Sequence, residues 1–465
     1  MGIVLSIFYF AISYLCPAAM YPVLVEFHPE LILAVLLLLV SLPKIFGSFI
    51  LKTSQSLALI GLSIAVFLSI LIGVRWVGGA IQVLVEFIPS IYAYFLVCLH
   101  FNSRKKLKIL IFSMFAVCLF VIAQGGIDLF HGMPPEGPPI SPATGSVDVR
   151  LWRVEHPYLL GMKNDAGGWF YRLRGLGEIN DPNDLAQLLI CITPLMFFFW
   201  QKKKFLPNFA FVVLPVFTLL YGVYLTRSRG ALLALIVMAI VAARRRIGTL
   251  KAILVGGLVG LAAMALKFTG GRAISAESGS DRTELWSQGL TMVKTYPLFG
   301  VGYGRFMQYA SNTAHNSIVV CAAEIGLIGL YFWSFFLFPT VRDAVVLASP
   351  SKISDGEPIV PEKALYPQAE IKIEVLEKAE INRLGQLMVL SLTGFLVSGW
   401  FLSRAFVMTF FMLGGMTEVV FELARQRGMV SPRLPLPRTL VYSGGLAVSL
   451  LLLMYLTLRT LNLTR

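Results

Sequence analysis

Residues 54–74 have the sequence SQSLALIGLSIAVFLSILIGV, which contains no charged side chain. About 20 apolar residues in an α-helix match the thickness of the hydrocarbon core of a bilayer. A strand of a closed β-barrel would alternate apolar and polar residues, and this stretch does not alternate. The segment therefore predicts a helix that crosses a membrane.

The same pattern recurs along the whole chain. Of its 465 residues, 57% are hydrophobic and 14% are charged, whereas soluble proteins usually carry about a quarter charged residues. The predicted fold is all-α, a polytopic transmembrane helical bundle of about 12–13 spans with two long outer-side loops. The apolar segments lie near residues 3–25, 30–43, 54–74, 78–100, 107–124, 183–200, 206–226, 230–243, 249–268, 315–340, 384–402, 405–421 and 439–458.

Basic residues occur in short bursts between these segments. The net charge of +14 could indicate nucleic-acid binding in a soluble protein. Here every second short connection is basic, which is typical of cytoplasmic loops. We therefore expect a lipid bilayer around the chain and no nucleic-acid partner. The bursts are Lys44 and Lys52, Arg104 to Lys108, Lys202 to Lys204, Arg244 to Arg246, and Arg425, Arg427 and Arg433.

This alternation places the N-terminus in the cytoplasm and divides the chain into five parts. They are N-terminal transmembrane helices (1–124), an outer loop (125–182), a core (183–340) that includes a second outer loop (269–314), a cytoplasmic loop (341–383), and C-terminal transmembrane helices (384–465). The first segment lacks a basic n-region, so we expect a retained span, or a helix broken near Pro17 and Pro22, and not a removed signal peptide. The sequence does not indicate an oligomeric state.

The five cysteines all lie inside apolar segments. We interpret them as small buried hydrophobic residues, because none forms a CxxC pair. They are Cys16, Cys98, Cys118, Cys191 and Cys321.

The first outer loop combines a proline-rich stretch, Met133 to Pro142, with aromatic and basic residues. The prolines predict an extended connector. The aromatic and basic set could hold sugars and phosphate, or it could form a belt at headgroup depth. Its members are Trp152, Tyr158, Trp169, Phe170 and Tyr171 with Arg150, Arg153, Arg172 and Arg174.

Two motifs follow in the chain. Asp181 as N-cap, Pro182 at the first helical position and Asp184 in the first turn predict a helix start, which leaves Arg174 able to reach an anionic ligand. Residues 226–230, TRSRG, lie between two apolar segments. Arginine binds phosphate oxygens bidentately, but the pair could also reach lipid headgroups. Spacing alone does not choose between Arg227 and Arg229.

The second outer loop carries two more polar features. Residues 280–286, SDRTELW, predict a short amphipathic helix with Ser280 as N-cap. Arg282 in that helix could bind an anion or form a salt bridge with a neighbouring carboxylate. Residues 296–306, YPLFGVGYGRF, contain alternate glycines that allow close backbone approach. They predict a tight turn that returns the chain to the bundle.

The sequence AHNS at residues 314–317 precedes the tenth apolar segment. Imidazole titrates near neutral pH, which suits a general base for a sugar hydroxyl. A helix cap or a headgroup contact is the alternative for His315. Glu324 lies deeper in the same segment, and we expect it to be a buried, hydrogen-bonded glutamate that holds neighbouring helices together.

In this order the motifs resemble those of the O-antigen ligase and polymerase family of bacterial envelopes. The resemblance covers roughly residues 170–340 and rests on five stretches. They are RGLGEINDPNDLA (174–186), TRSRGALLAL (226–235), DRTELW (281–286), YPLFGVGYGRF (296–306), and AHNS with EIGLIGL (314–330).

The resemblance implies an enzyme of the bacterial inner membrane with its active site on the periplasmic side. Its donor would be a polyprenyl-pyrophosphate-linked glycan, and its acceptor a glycan or lipid-glycan. It would use no metal and no other cofactor. The family's roles assign Arg229 and Arg282 to the pyrophosphate and His315 to the acceptor hydroxyl, which also decides between Arg227 and Arg229. We add five substrate-binding candidates: Arg174, Arg227, Trp286, Arg305 and Asn316.

Two other classes of function compete with a transferase. A secondary transporter would show inverted repeats and broken helices at matching positions of two halves, and we find no such symmetry. If the protein were a non-catalytic membrane component of an envelope polysaccharide machine, replacing His315 would cause no loss of the glycan product.

Overall fold

The structure is a computed structural model. It describes residues 1–21, 23–46, 48, 50–133, 155–163, 167–266, 268, 277–349 and 378–460, with the backbone alone for 277–281 and 378. Residues 134–142 of the proline-rich stretch, Arg150, Trp152 and Arg153 lie outside this set. The sequence also predicts a short helix around residues 370–383 in the cytoplasmic loop, and residues 370–377 of it lie outside this set.

All the predicted apolar segments form helices, which confirms the all-α fold class. Among the described residues, ten helices are long and apolar enough to cross a membrane, so the chain is a multi-pass membrane protein. The helices are Gly2–Leu15, Val23–Phe27, Pro29–Phe46, Ser54–Leu71, Val77–His100, Arg104–His131, Pro182–Leu195, Phe205–Asn208, Leu214–Thr226, Arg229–Ile247, Thr249–Ala265, Glu277–Thr295, Ser317–Ala348, Lys378–Gly399, Met408–Arg425 and Leu436–Thr460.

The first apolar segment is broken, as one of the two expectations had it. Its helix ends at Leu15, Cys16 adopts a left-handed backbone with φ 42°, and a 3₁₀ turn covers Pro17–Ala19. The proline ring removes a backbone donor and cannot continue a regular helix, which explains the break.

A β-hairpin in the loop 125–182 was not predicted. Strand Leu159–Lys163 pairs antiparallel with Trp169–Leu173, so that Leu159 faces Leu173 and Lys163 faces Trp169. Aromatic residues favour strands, but five residues give too few alternations to distinguish a strand from a loop. The adjacent helix also runs on to His131, past the expected end at 124, because Ile127, Leu129 and Phe130 continue its apolar pattern.

The chain divides into two compact units, which we describe separately. The first contains Met1–Val40, Lys105–Ala273 and Leu390–Ser398. In it, Leu214–Thr226 packs on Pro182–Leu195, and Arg229–Ile247 packs on Thr249–Ala265. A Cβ atom on Gly256 would lie 2.5 Å from Cγ1 of Ile240, so a glycine lets these last two helices approach closely.

The second unit contains Ser41–Arg104, Ile274–Val389 and Gly399–Arg465. Its long helix Ser317–Ala348 packs on Ser54–Leu71 and on Leu436–Thr460. The helix Met408–Arg425 packs on Val77–His100 and is buried on every side.

Two glutamates lie inside that buried helix. Glu418 is 0% exposed and Glu422 is 1% exposed. The guanidinium of Arg433 forms a fork on Glu418, with Nη1 3.0 Å from Oε2. Nη2 of Arg425 lies 2.7 Å from Oε1 of Glu422. Buried carboxylates need such partners, because an unpaired buried charge is strongly destabilising.

Candidate functional site

In the first unit, a short turn separates two helices and carries two candidate arginines. The helix Leu214–Thr226 ends at Arg227, whose backbone is left-handed with φ 51°. Ser228 is the N-cap of the next helix, and its hydroxyl accepts a hydrogen bond from the Ala231 amide at 3.3 Å. Arg229 is therefore the first residue of that helix. The turn is tight because one left-handed residue and one cap complete it.

Both arginine side chains in this turn are partly exposed. The guanidinium carbon of Arg227 lies 3.9 Å from the centre of the Tyr224 ring, a cation–π contact. The Tyr224 ring in turn contacts Phe268 edge to face at 5.9 Å. An aromatic pair thus supports one of the two arginines.

The hairpin carries two further arginines, and both are buried. Arg172 is 4% exposed and Arg174 is 6% exposed. Nε of Arg174 donates to the Pro157 carbonyl at 3.1 Å. Burial, with a smaller contribution from Tyr21, raises the pKa of the neighbouring Tyr158, whose hydroxyl donates to Sδ of Met20. A backbone carbonyl thus helps to hold the Arg174 guanidinium, and its assignment to substrate binding stays a prediction.

The predicted helix start at residue 181 is confirmed. The Asp181 carboxylate accepts the amide N–H of Asn183 at 2.8 Å and its side-chain N–H at 2.9 Å. These two bonds fix the orientation of the Asn183 amide, whose oxygen accepts a hydrogen bond from Nη2 of Arg172 at 2.9 Å.

In the second unit, the helix Glu277–Thr295 carries Arg282 and Trp286 one turn apart. The helix starts before Ser280, so the prediction of Ser280 as N-cap was wrong. The Arg282 guanidinium carbon lies 6.0 Å from the Phe401 ring centre. Trp286 is 6% exposed and meets Trp400 edge to face at 5.9 Å. Arg282 and Trp286 thus face one aromatic segment, as residues four apart on a helix do.

The same tryptophan connects this helix to the histidine. Nε1 of Trp286 donates to the carbonyl of Ala314 at 2.9 Å. His315 follows directly, half-buried and with a left-handed backbone of φ 49°. The helix that carries Arg282 therefore contacts the segment that carries His315.

Asn316 is the N-cap of the helix Ser317–Ala348. It is 0% exposed, and its Oδ1 accepts the amides of Ile318 at 2.9 Å and Val319 at 3.1 Å. Its Nδ2 donates to the Trp400 carbonyl at 3.1 Å. Both ends of the side-chain amide therefore have structural partners.

The glycine-rich turn and Glu324 form one structural feature. The Glu324 carboxylate accepts the amides of Gly304 at 3.0 Å and Phe306 at 3.2 Å. The helix is interrupted at Gly326 (φ 66°, ψ −170°), where a Cβ atom would lie 2.3 Å from the Leu298 carbonyl oxygen. Close approach of the turn to the interrupted helix explains Gly300 and Gly326. Glu324 is buried and hydrogen-bonded as expected, but its partners are amides of the turn and not a neighbouring helix.

The remaining candidate, Arg305, lies in this turn, half-buried. Its Nε donates to Oε1 of Gln308 at 2.6 Å. Its assignment to substrate binding stays a prediction, as do the roles of all the site candidates.

The structure distributes the candidates between the two units. The first unit holds Arg174, Arg227 and Arg229, and the second holds Arg282, Trp286, Arg305, His315 and Asn316. Among the described residues, no three His, Cys, Asp or Glu side chains are grouped as metal ligands. The expectation that no metal is needed stays a prediction.

The sequence interpretation missed Trp400 and Phe401, whose rings contact Trp286 and Arg282. Trp400 and Phe401 follow an apolar segment, and two consecutive aromatic residues at the end of a span were the signal for them. Arg172 was noted only as part of the aromatic and basic set. Nothing local in the sequence separated it from the other arginines of the loop.

Comparison with known protein families identifies one segment. Residues 214–334 match the model of the O-antigen ligase family, which confirms the resemblance over that segment. It supports a membrane glycosyltransferase of the O-antigen ligase or polymerase type, with lipid-linked glycan substrates. The match contains every site candidate except Arg174. A comparison with curated proteins finds no match.

Proposed function

We propose that this protein transfers a glycan from a polyprenyl-pyrophosphate carrier to a hydroxyl of a glycan or lipid-glycan acceptor. The reaction takes place on the periplasmic side of the bacterial inner membrane. The proposal covers both an O-antigen ligase and a polymerase of surface polysaccharide, since the two differ only in the acceptor.

One observation carries the proposal. Within the matched segment, Nε1 of Trp286 donates to the carbonyl of Ala314, so the helix that carries Arg282 contacts the segment that carries His315. A guanidinium binds phosphate oxygens, and an imidazole accepts a proton from a hydroxyl. This contact supports the proposal that the two side chains serve one reaction.

The proposed step is a single displacement at the anomeric carbon. The acceptor oxygen forms the new bond to that carbon as its proton passes to His315. The bond from the carbon to the pyrophosphate oxygen breaks, and the electron pair leaves with the polyprenyl pyrophosphate. One displacement inverts the configuration at the anomeric carbon.

The arginines act on the leaving group. Pyrophosphate gains negative charge as the bond breaks, and fixed positive charges stabilise it most where that charge develops. We assign this role to Arg282 and Arg229. We assign Arg227, two residues before Arg229, and Arg174 to donor binding through their positive charge.

The test is transfer in vitro from a polyprenyl-pyrophosphate glycan to a set of acceptors by purified protein. We expect His315→Ala to lower the rate by about 10²- to 10⁴-fold and Arg282→Ala by about 10²- to 10³-fold. The controls are His131→Ala and Arg246→Ala, at exposed positions outside the site. Unchanged transfer by both site variants would remove the assignment. Absence of transfer by the wild type to every acceptor would remove the function.

A further inference from the structure

A buried arginine of the hairpin joins three segments of the first unit. Nε of Arg172 donates to the carbonyl of Thr226 at 2.8 Å. Its Nη2 donates to Oδ1 of Asn183 at 2.9 Å, and its Nη1 lies 3.5 Å from Sδ of Met162. One guanidinium therefore connects the hairpin, the end of one helix and the start of another.

The contact with Thr226 occurs where a helix needs a donor. The last carbonyls of a helix lack partners within the helix, and Thr226 is the last residue of Leu214–Thr226. Positive charge is also favourable at a helix C-terminus. Arg172 thus caps this helix with a charge-assisted hydrogen bond and defines where it ends.

The capped residue immediately precedes the candidate turn. Arg227 takes its left-handed conformation in the next position, and Ser228 and Arg229 begin the following helix. The directions of the Arg227 and Arg229 side chains therefore depend on the position of the Thr226 carbonyl. The partner of Arg172 on the other side, Asn183, is itself fixed by Asp181.

On this geometry we infer that Arg172 is a positioning residue, which acts through the turn 226–229 and sets the direction of Arg229 toward the donor. The inference rests on the proposed function, because it assigns the pyrophosphate to Arg229. It also gives the hairpin a purpose, which is to present a guanidinium to the end of a helix.

The first experiment measures hydrogen exchange of full-length protein in detergent. Arg172→Lys keeps the charge but loses the planar fork. We expect amide exchange in residues 224–232 to be on the order of tenfold faster, because hydrogen bonds to charged groups are worth about that factor. The matched control is Lys163→Met, which removes a positive charge from an exposed position of the same hairpin. Unchanged exchange at 224–232 in Arg172→Lys would overturn the inference, whether or not the protein transfers glycan.

The second experiment is a double-mutant cycle on transfer. We expect Arg172→Lys to lower kcat/KM for the donor about tenfold in the wild-type background. In the Arg229→Ala background its effect should fall below about twofold, since the residue through which it acts is gone. Equal effects in both backgrounds would overturn the positioning role and leave the proposed function standing. A purely structural role would lower the folded yield without this non-additivity.

Discussion

His315 lies just before the helix Ser317–Ala348, and Gly326 interrupts that helix. Both residues have positive φ angles, 49° and 66°. At Gly326 the packing requires glycine, because a Cβ atom would meet the Leu298 carbonyl. At His315 a side chain is present although glycine or asparagine adopts this conformation at lower cost. Packing therefore determines the residue at position 326, whereas the backbone conformation alone does not account for the histidine at position 315.

The largest effect that would test this difference between the two positions is expected from His315→Gly. Glycine keeps the left-handed backbone and removes the imidazole. We expect transfer to fall by about 10²- to 10⁴-fold while the melting temperature stays within experimental error of the wild type. Rates are measured per folded molecule. Retained transfer would show that the imidazole is not the base.

The converse change is Gly326→Ala. This combination of φ and ψ is essentially restricted to glycine and costs other residues about 1–3 kcal/mol, and the clash with Leu298 adds to that cost. We expect a lower melting temperature and a lower folded yield, with transfer per folded molecule near the wild-type rate. An unchanged melting temperature would contradict the packing argument.

A smaller effect is expected at Trp286. Trp286→Phe keeps an aromatic ring beside Trp400 and removes the donor to Ala314, worth about 1 kcal/mol, so kcat should fall by roughly fivefold. The matched control is Trp333→Phe, because Nε1 of Trp333 makes the same kind of bond to the Ala405 carbonyl at 2.9 Å. Equal losses of kcat in the two variants would show that the bond to Ala314 has no special role.

The smallest effect should come from Asn316→Ser. Serine is as good an N-cap as asparagine, but it loses the bond to the Trp400 carbonyl. We therefore expect a loss of stability of about 1 kcal/mol and less than a twofold change in the KM for either substrate. A rise of tenfold or more in one KM would restore Asn316 as a substrate-binding residue.

The sequence predicted the helices well, because long apolar segments in a membrane protein have few alternatives. It also predicted the break near Pro17, the start at Asp181 and the buried role of Glu324. The break and the helix start depend on neighbouring residues in the sequence. The burial of Glu324 follows from the cost of placing a charge in a membrane, so local reasoning found all three features.

The sequence did not predict features that depend on distant partners. The hairpin forms from two short strands, and Arg172 finds its partners at Thr226 and Asn183 only after folding. Trp286 likewise meets Ala314 and Trp400, which lie far from it in the chain, only after folding. The family resemblance, and not spacing, supplied the choice of Arg229.

The helix Met408–Arg425 has a consequence for biogenesis. Two glutamates make it a poor substrate for direct partitioning into lipid, and Arg433, the partner of Glu418, emerges from the ribosome only afterwards. We therefore expect this helix to leave the translocon by packing directly on the helix Val77–His100, which is already inserted. It would not enter the lipid bilayer alone. Nascent chains arrested before residue 433 would leave Glu418 without its arginine partner, whereas Glu422 would already have Arg425.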